Sequence, residues 1–188
     1  MNIVALSGSV VGSKTRTAIN EVVRTFEKNY PEIDVQLIDL ADYNIQFSDG
    51  RNYLEYEGDT GFVAKALMDA DAIIIGSPIF QASIPGALKN IFDLLPVQAF
   101  TDKIAGIVMT AGSAKHYLVA EQQLKPILGY MKAQIVQSYV FAEEKDFSQK
   151  QIVNNDVSFR IERLVEDTYV LATTYAKIRE EQDDAYDF

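Results

Sequence analysis

The 188-residue sequence has no cysteine, no tryptophan and one histidine, His116. Without Cys there are no disulfides, no thiolate metal ligands and no thiol nucleophile. One His rules out a metal site built from several histidines. Cations are scarce too: 17 Lys and Arg stand against 27 Asp and Glu, a formal net charge of −10. That balance argues against nucleic acid or an anionic membrane as a partner. No apolar run approaches the roughly 20 residues of a membrane span. Met1 leads straight into a strand pattern with no leader-like segment, so a cytoplasmic location is the expectation. What the chain has is apolar mass: 48% of its residues are hydrophobic, and this length supports one domain with a full-sized core.

The pattern alternates strand and helix. "IVAL" near the start, "DVQLIDL" (34–40), "AIIIGS" (72–77), "IAGIVMTAG" (104–112) and "QIVQSYVFA" (134–142) are short apolar runs rich in β-branched residues. Runs without polar alternation are buried on both faces, which predicts a parallel sheet between two helical layers. Helical periodicity marks 17–30, with Ile19, Val22, Val23, Phe26 and Tyr30 on one face. It also marks 84–95, with Ser83 as N-cap, Pro85 in the first turn and Pro96 as the stop. Further helices are predicted over 116–132, kinked at Pro126, and over 158–179. Residues 42–59 read as a polar surface loop. The chain divides into one domain over 1–180 and an acidic, frayed tail over 181–188. The whole is a three-layer, doubly wound, five-stranded α/β domain.

Ligands of such folds bind beyond the carboxyl ends of the strands. Three segments meet there: 7–17, 77–83 and 110–116. The first, "SGSVVGSKTRT", packs five hydroxyls, two glycines and two cations into eleven residues. It is not a P-loop, being one residue short with Ser13 where the Lys belongs, and Gly8-Ser9-Val10 breaks the dinucleotide fingerprint. Ser9, Ser13, Thr15 and Thr17 can each donate to a phosphate oxygen, and the helix that follows adds its N–H groups and dipole. A terminal phosphomonoester suits that donor set. In the second segment, Pro78 stiffens a turn whose N–H groups at Ile79, Phe80 and Gln81 can face the polar edge of a planar ring, with Phe80 against its face. Lys14 and Arg16 are cations placed to meet a phosphate. His116 stands at the site's edge.

"SGSxxxSxTxT", "GSPIFQASIPGALKNIFDLLP" and "TAGSAKHYLVAEQQLKPILGYMKAQIV" together resemble the NADPH-dependent FMN reductase family of the flavodoxin-like fold. They are most similar to the small reductases that feed reduced flavin to alkanesulfonate-type monooxygenases. The resemblance runs from Ile3 to about Phe141 and implies strand order 2-1-3-4-5. It places the FMN phosphate on Ser9, Ser13, Thr15, Arg16 and Thr17. It places the isoalloxazine edge on Pro78, Ile79, Phe80 and Gln81, and the third loop, Thr110, Ala111, Gly112 and Ser113, beside the ring. Phe80 stands where many members have Tyr, Ala111 where they have Gly, and Gln122 where the nearest relatives have an aromatic.

The activity so implied is hydride transfer from NADPH or NADH to FMN, in which the cofactors carry the chemistry and no side chain is catalytic. The resemblance also implies a homodimer or homotetramer and a possible monooxygenase partner. The apolar residues Leu88, Phe92, Tyr117, Leu118, Leu124 and Leu128 place such an interface on the third and fourth predicted helices. Two other functions stay open at this point: an FMN-retaining quinone or azo reductase, and a flavodoxin-like electron carrier whose acidity suits basic redox partners. The missing Trp counts against the carrier, because such carriers usually flank the flavin ring with Trp or Tyr.

Overall fold

The computed structural model describes residues 1–186; the last two residues of the acidic tail expected over 181–188 lie outside the described residues. Five β/α units wind a parallel sheet. They comprise β1 (Asn2–Ser7), α1 (Lys14–Asn29), β2 (Asp34–Asp39), α2 (Gly58–Asp69), β3 (Ala72–Pro78), α3 (Gly86–Leu94), β4 (Ile104–Ala111), α4 (Lys125–Tyr130), β5 (Gln134–Ile135), β6 (Val140–Glu143) and the long α5 (Asn155–Tyr186). A two-stranded hairpin, β7 (Phe147–Ser148) and β8 (Gln151–Ile152), precedes α5. The order is β2-β1-β3-β4-β5, with β6 also paired to β4. This is the predicted 2-1-3-4-5 sheet with its fifth position shared by two short strands.

The expected strand over 134–142 is therefore broken. Gln134 and Ile135 face Ile104 and Ala105, and pairing resumes at Val140 opposite Val108. Residues 136–139 face only residues 106–107 of β4, so the surplus must leave the ladder. The hydroxyl of Tyr139 in this bulge donates to the carbonyl of Tyr117 at 2.9 Å.

Every residue of β3 and of β4 is buried, as continuous apolar strands between two helical layers require. One core lies under α1 and α5, where Ala18, Ile19, Val22 and Phe26 are wholly buried. The other lies under α2, α3 and α4 and includes Leu88, Ile91, Leu124 and Leu128. Full burial of a large aliphatic or Phe side chain is worth about 1.5–3 kcal/mol. Leu88, Phe92, Leu124 and Leu128 thus belong to the chain's own core. Of the six residues expected at an interface, only Tyr117 and Leu118 are exposed.

Several boundaries differ from expectation. Helix α5, expected over 158–179 with a frayed tail from 181, runs over Asn155–Tyr186. Helix α1 starts at Lys14 rather than Thr17, because its first turn is built from the polar residues of the loop. The expected helix over 116–132 splits into a 3₁₀ turn (Ala114–His116), a π turn (Ala120–Leu124) and α4. Pro126 has no N–H to continue an α ladder, and it sits in the first turn of α4 where none is needed. Ser83 does not cap α3; Pro85 holds that position, and Ser83 turns back to Phe80. Apolar residues lie all around α2, which left it no clear periodicity to read.

Candidate active site

The three strand-end loops meet around one cleft of about 300 Å³. Its lining is Ser9, Val11, Gly12, Ser13, Lys14 and Thr15 from the first loop, Pro78, Ile79 and Phe80 from the second, and Thr110, Ala111 and Gly112 from the third. Nine of the thirteen residues singled out from the sequence are here; Arg16, Thr17, Gln81 and Ser113 are not in the lining.

Gly8 brings the first two loops together. Its N–H donates to the Gly76 carbonyl at 2.8 Å, and a Cβ on it would sit 2.9 Å from that oxygen. Gly12 then turns the chain at φ +78°, a conformation open mainly to glycine. Ser13 follows at the N-cap, yet its hydroxyl makes no capping bond. The first intrahelical bond is that of the Thr17 N–H to the Ser13 carbonyl. The N–H groups of Lys14, Thr15 and Arg16 therefore reach the helix end with no acceptor among the described residues, beside the positive pole of the dipole. Such an end is made for an anion. On the same side of the sheet, the buried hydroxyl of Ser7 also lacks a partner among the described residues.

The hydroxyls are not all idle. Ser9 Oγ donates to the Val11 carbonyl at 2.6 Å, shaping the loop. Thr15 and Thr110 share a buried hydroxyl–hydroxyl bond of 2.7 Å, which ties α1 to the end of β4. The two cations differ. Arg16 lies 3.1 Å from Asp39 and 3.1 Å from Asp42, so its charge is engaged at the end of β2 and away from the cleft. Lys14 stays in the cleft wall and reaches Glu144, just past β6, at 2.7 Å. The hydrogen bond from Lys14, with its charge, holds the Glu144 carboxyl below the usual range.

The second loop is arranged differently from expectation. The Ile79 N–H donates to the Thr110 carbonyl at 2.9 Å, and Phe80 and Ser83 exchange two backbone bonds of 3.0 Å. Two of the three N–H groups expected to face a ring edge are thus engaged within the protein, and that of Gln81 makes no backbone bond. Between Phe80 and Ser83, Gln81 (φ +50°) and Ala82 (φ +58°) form a two-residue turn with both central residues left-handed. Neither is Gly or Asn, so the turn is strained. Gln123, from the π turn, clamps it: it accepts from Ser83 Oγ and donates to the Ala82 carbonyl at 3.2 Å. Nothing local in the sequence marks Gln123, whose partners lie some forty residues away. Phe80 is 39% exposed at the rim. The polar segment after β2 does not line the cleft; Ser48 and Gln46 bind it to Asn90 of α3 instead. His116 is exposed beyond the third loop and also stands outside the lining.

Residues 1–147 match the model of the NADPH-dependent FMN reductase family. The chain belongs to that family. An NAD(P)H-dependent FAD/FMN reductase of Geobacillus thermodenitrificans is 41% identical over 165 residues, covering 87% of this chain and 89% of that protein. The apo structure of the NADH:FMN oxidoreductase EMOB superimposes with a TM-score of 0.73 at 25% identity, over 92% of this chain and 89% of that one. An oxidised flavodoxin from Bacillus cereus shares the fold, with a TM-score of 0.65 at 16% identity over 90% of this chain and 97% of its own. As an FMN reductase, the chain is an oxidoreductase that uses FMN and NAD(P)H. Its first loop fits the flavin's phosphate, since an uncapped helix end edged by hydroxyls and one lysine is the donor set a phosphomonoester needs. None of its described helices is long and apolar enough to cross a membrane.

Proposed function

We propose that the cleft binds FMN with its phosphate at the N-terminus of α1 and its ring between the second and third loops. The observation that carries this reading is the uncapped first turn of α1 facing the cleft. Ser13 donates to the phosphate with the first-turn N–H groups, and Thr15 does so while accepting from Thr110. Ser9, whose proton goes to the Val11 carbonyl, shapes the loop around them. Lys14 supplies the cation in place of Arg16, which Asp39 and Asp42 occupy. Thr17 stands behind that first turn and supports it. Pro78, Ile79 and Phe80 border the ring, with the Gln81 N–H as the donor left for its edge. Thr110, Ala111 and Gly112 line its other side, and Ser113 stands just beyond.

Bound FMN supplies the hydride chemistry. The protein's share is placement: it fixes the ring with stiff loops and leaves one face open to the nicotinamide at the Phe80 rim. No side chain is assigned a proton. The same opening serves the oxidised acceptor, so NAD(P)H and acceptor compete. We read residues 1–180 as one cytoplasmic domain of a homodimer or homotetramer. Exposed Tyr117 and Leu118 contribute to its contacts, and a flavin-dependent monooxygenase is the candidate recipient of reduced FMN.

The test is anaerobic. FMN-loaded protein is mixed with NADPH, then NADH, and the visible flavin band is followed. Bleaching by either nucleotide is expected. Bleaching by dithionite alone, with neither nucleotide effective at millimolar concentration, assigns the cleft to an electron carrier.

A further inference from the structure

We propose that Glu144 sets how loosely the site holds FMN, by competing with the flavin phosphate for Lys14. The inference rests on the reading of the α1 loop as the phosphate end.

Lys14 is the one charged residue in the lining of the cleft. Arg16, the neighbouring cation, is already shared between Asp39 and Asp42. A phosphate arriving at α1 therefore finds one lysine, and that lysine already holds a carboxylate at 2.7 Å. Glu144 is well placed to intervene. It follows Glu143, which pairs with Ala111 of the cleft wall, so the turn after β6 stands at the cleft's rim. Its carboxyl, held low by Lys14, is ionised at neutral pH.

Folding stability does not account for the pair. The side chains are 40% and 66% exposed, and a surface ion pair of that kind adds little to stability. Among the described residues, Lys14 is also the only side chain bonded to the Glu144 carboxylate. The pair's consequence falls on the ligand. With Glu144 in place, Lys14 divides its field between a fixed carboxylate and the incoming dianion, and the carboxylate itself repels that dianion. A site built only for retention would leave the lysine to the phosphate. This arrangement weakens the phosphate's hold and favours exchange of the flavin as a released product.

The experiment is a fluorescence titration of the purified chain with FMN and with riboflavin, at low and high salt. Glu144→Gln is expected to lower the Kd for FMN about 1.5- to 5-fold at low salt, the scale of one partly exposed charge interaction, and less at high salt. Riboflavin affinity and melting temperature are expected to stay put. In a Lys14→Met background, Glu144→Gln is expected to tighten FMN by a clearly smaller factor, because the contested cation is gone and only the carboxylate's own repulsion of the dianion is relieved. Unchanged or weaker FMN binding in Glu144→Gln overturns the proposal. So does equal tightening of riboflavin, or a gain that persists in full without Lys14. Failure of the underlying reading looks different: the unaltered chain would then bind FMN no better than riboflavin.

Discussion

At the α1 end of the cleft the N–H groups of Lys14, Thr15 and Arg16 have no acceptor among the described residues, and the Ser13 hydroxyl makes no capping bond. At the other end, the N–H groups of Ile79 and Phe80 are closed onto Thr110 and Ser83, and Gln123 pins the turn between them. The first end keeps hydrogen bonds in reserve for a ligand. The second uses them to hold its own shape. Charge-assisted bonds to a phosphate contribute affinity, whereas a rigid wall beside a flat ring contributes placement. Affinity should therefore concentrate at one end and geometry at the other, and substitutions can separate the two.

The largest effect is expected at Ser13. Its hydroxyl makes no capping bond, so Ser13→Ala costs the free protein little. A bond to a charged group is worth about 1.5–3 kcal/mol, so FMN affinity should fall roughly 10- to 100-fold. Riboflavin, which lacks the phosphate, should bind both proteins alike. Equal loss for both ligands would erase the contrast between the ends. Next comes Gly8, which joins them. Gly8→Ala forces a methyl to 2.9 Å from the Gly76 carbonyl and 2.9 Å from Leu88. Overpacking of this kind costs about 1–3 kcal/mol, and in a chain of this size each kcal/mol lowers the melting temperature by about 2–4 °C. An unchanged melting curve would show that the two loops need no such close approach.

Gln123→Ala probes the ring end. It removes two neutral hydrogen bonds, together about 1–3 kcal/mol. FMN and riboflavin should weaken by the same factor, since the ring is common to both. The turnover number should fall as well, through looser placement of the ring. A loss confined to FMN would mean that Gln123 acts on the phosphate end and that the division between the ends is wrong.

The two ends were not equally legible in the sequence. The hydroxyl-rich loop after β1 could be read because its chemistry is local: Ser9, Ser13 and Thr15 all fall within one turn. The parallel sheet was legible for a similar reason, as β3 and β4 are unbroken apolar runs. The ring end depends on distant partners. Ser83 has the residue type and spacing of an N-cap, and only the fold shows it turned back to Phe80 and held by Gln123. Arg16 is a cation beside a phosphate loop in sequence, and becomes a partner of Asp39 and Asp42 once β2 lies beside β1. The break between β5 and β6 follows from register against β4, which a single strand's pattern does not carry. The family's motifs, local as well, supplied the cofactors.

The smallest expected effect bears on why the ring end is strained at all. Ala82 is held at φ +58° in the tight turn after Phe80, where a Cβ is unfavourable. Left-handed backbone costs a non-glycine residue about 1–2 kcal/mol, while glycine gives back about 0.4–1 kcal/mol through the freedom it adds to the unfolded chain. Ala82→Gly should therefore stabilise the fold by up to about 1 kcal/mol, seen as a rise of a few degrees in melting temperature at most. If the strain served folding, binding would follow stability. If it serves placement, a more flexible glycine at the same φ leaves FMN and riboflavin affinity level or slightly weaker while the melting temperature rises. Stability and binding then move apart at this residue. A gain in both would mean that the strained turn does nothing for the ring, and that Gln123 only holds down a local imperfection of the chain.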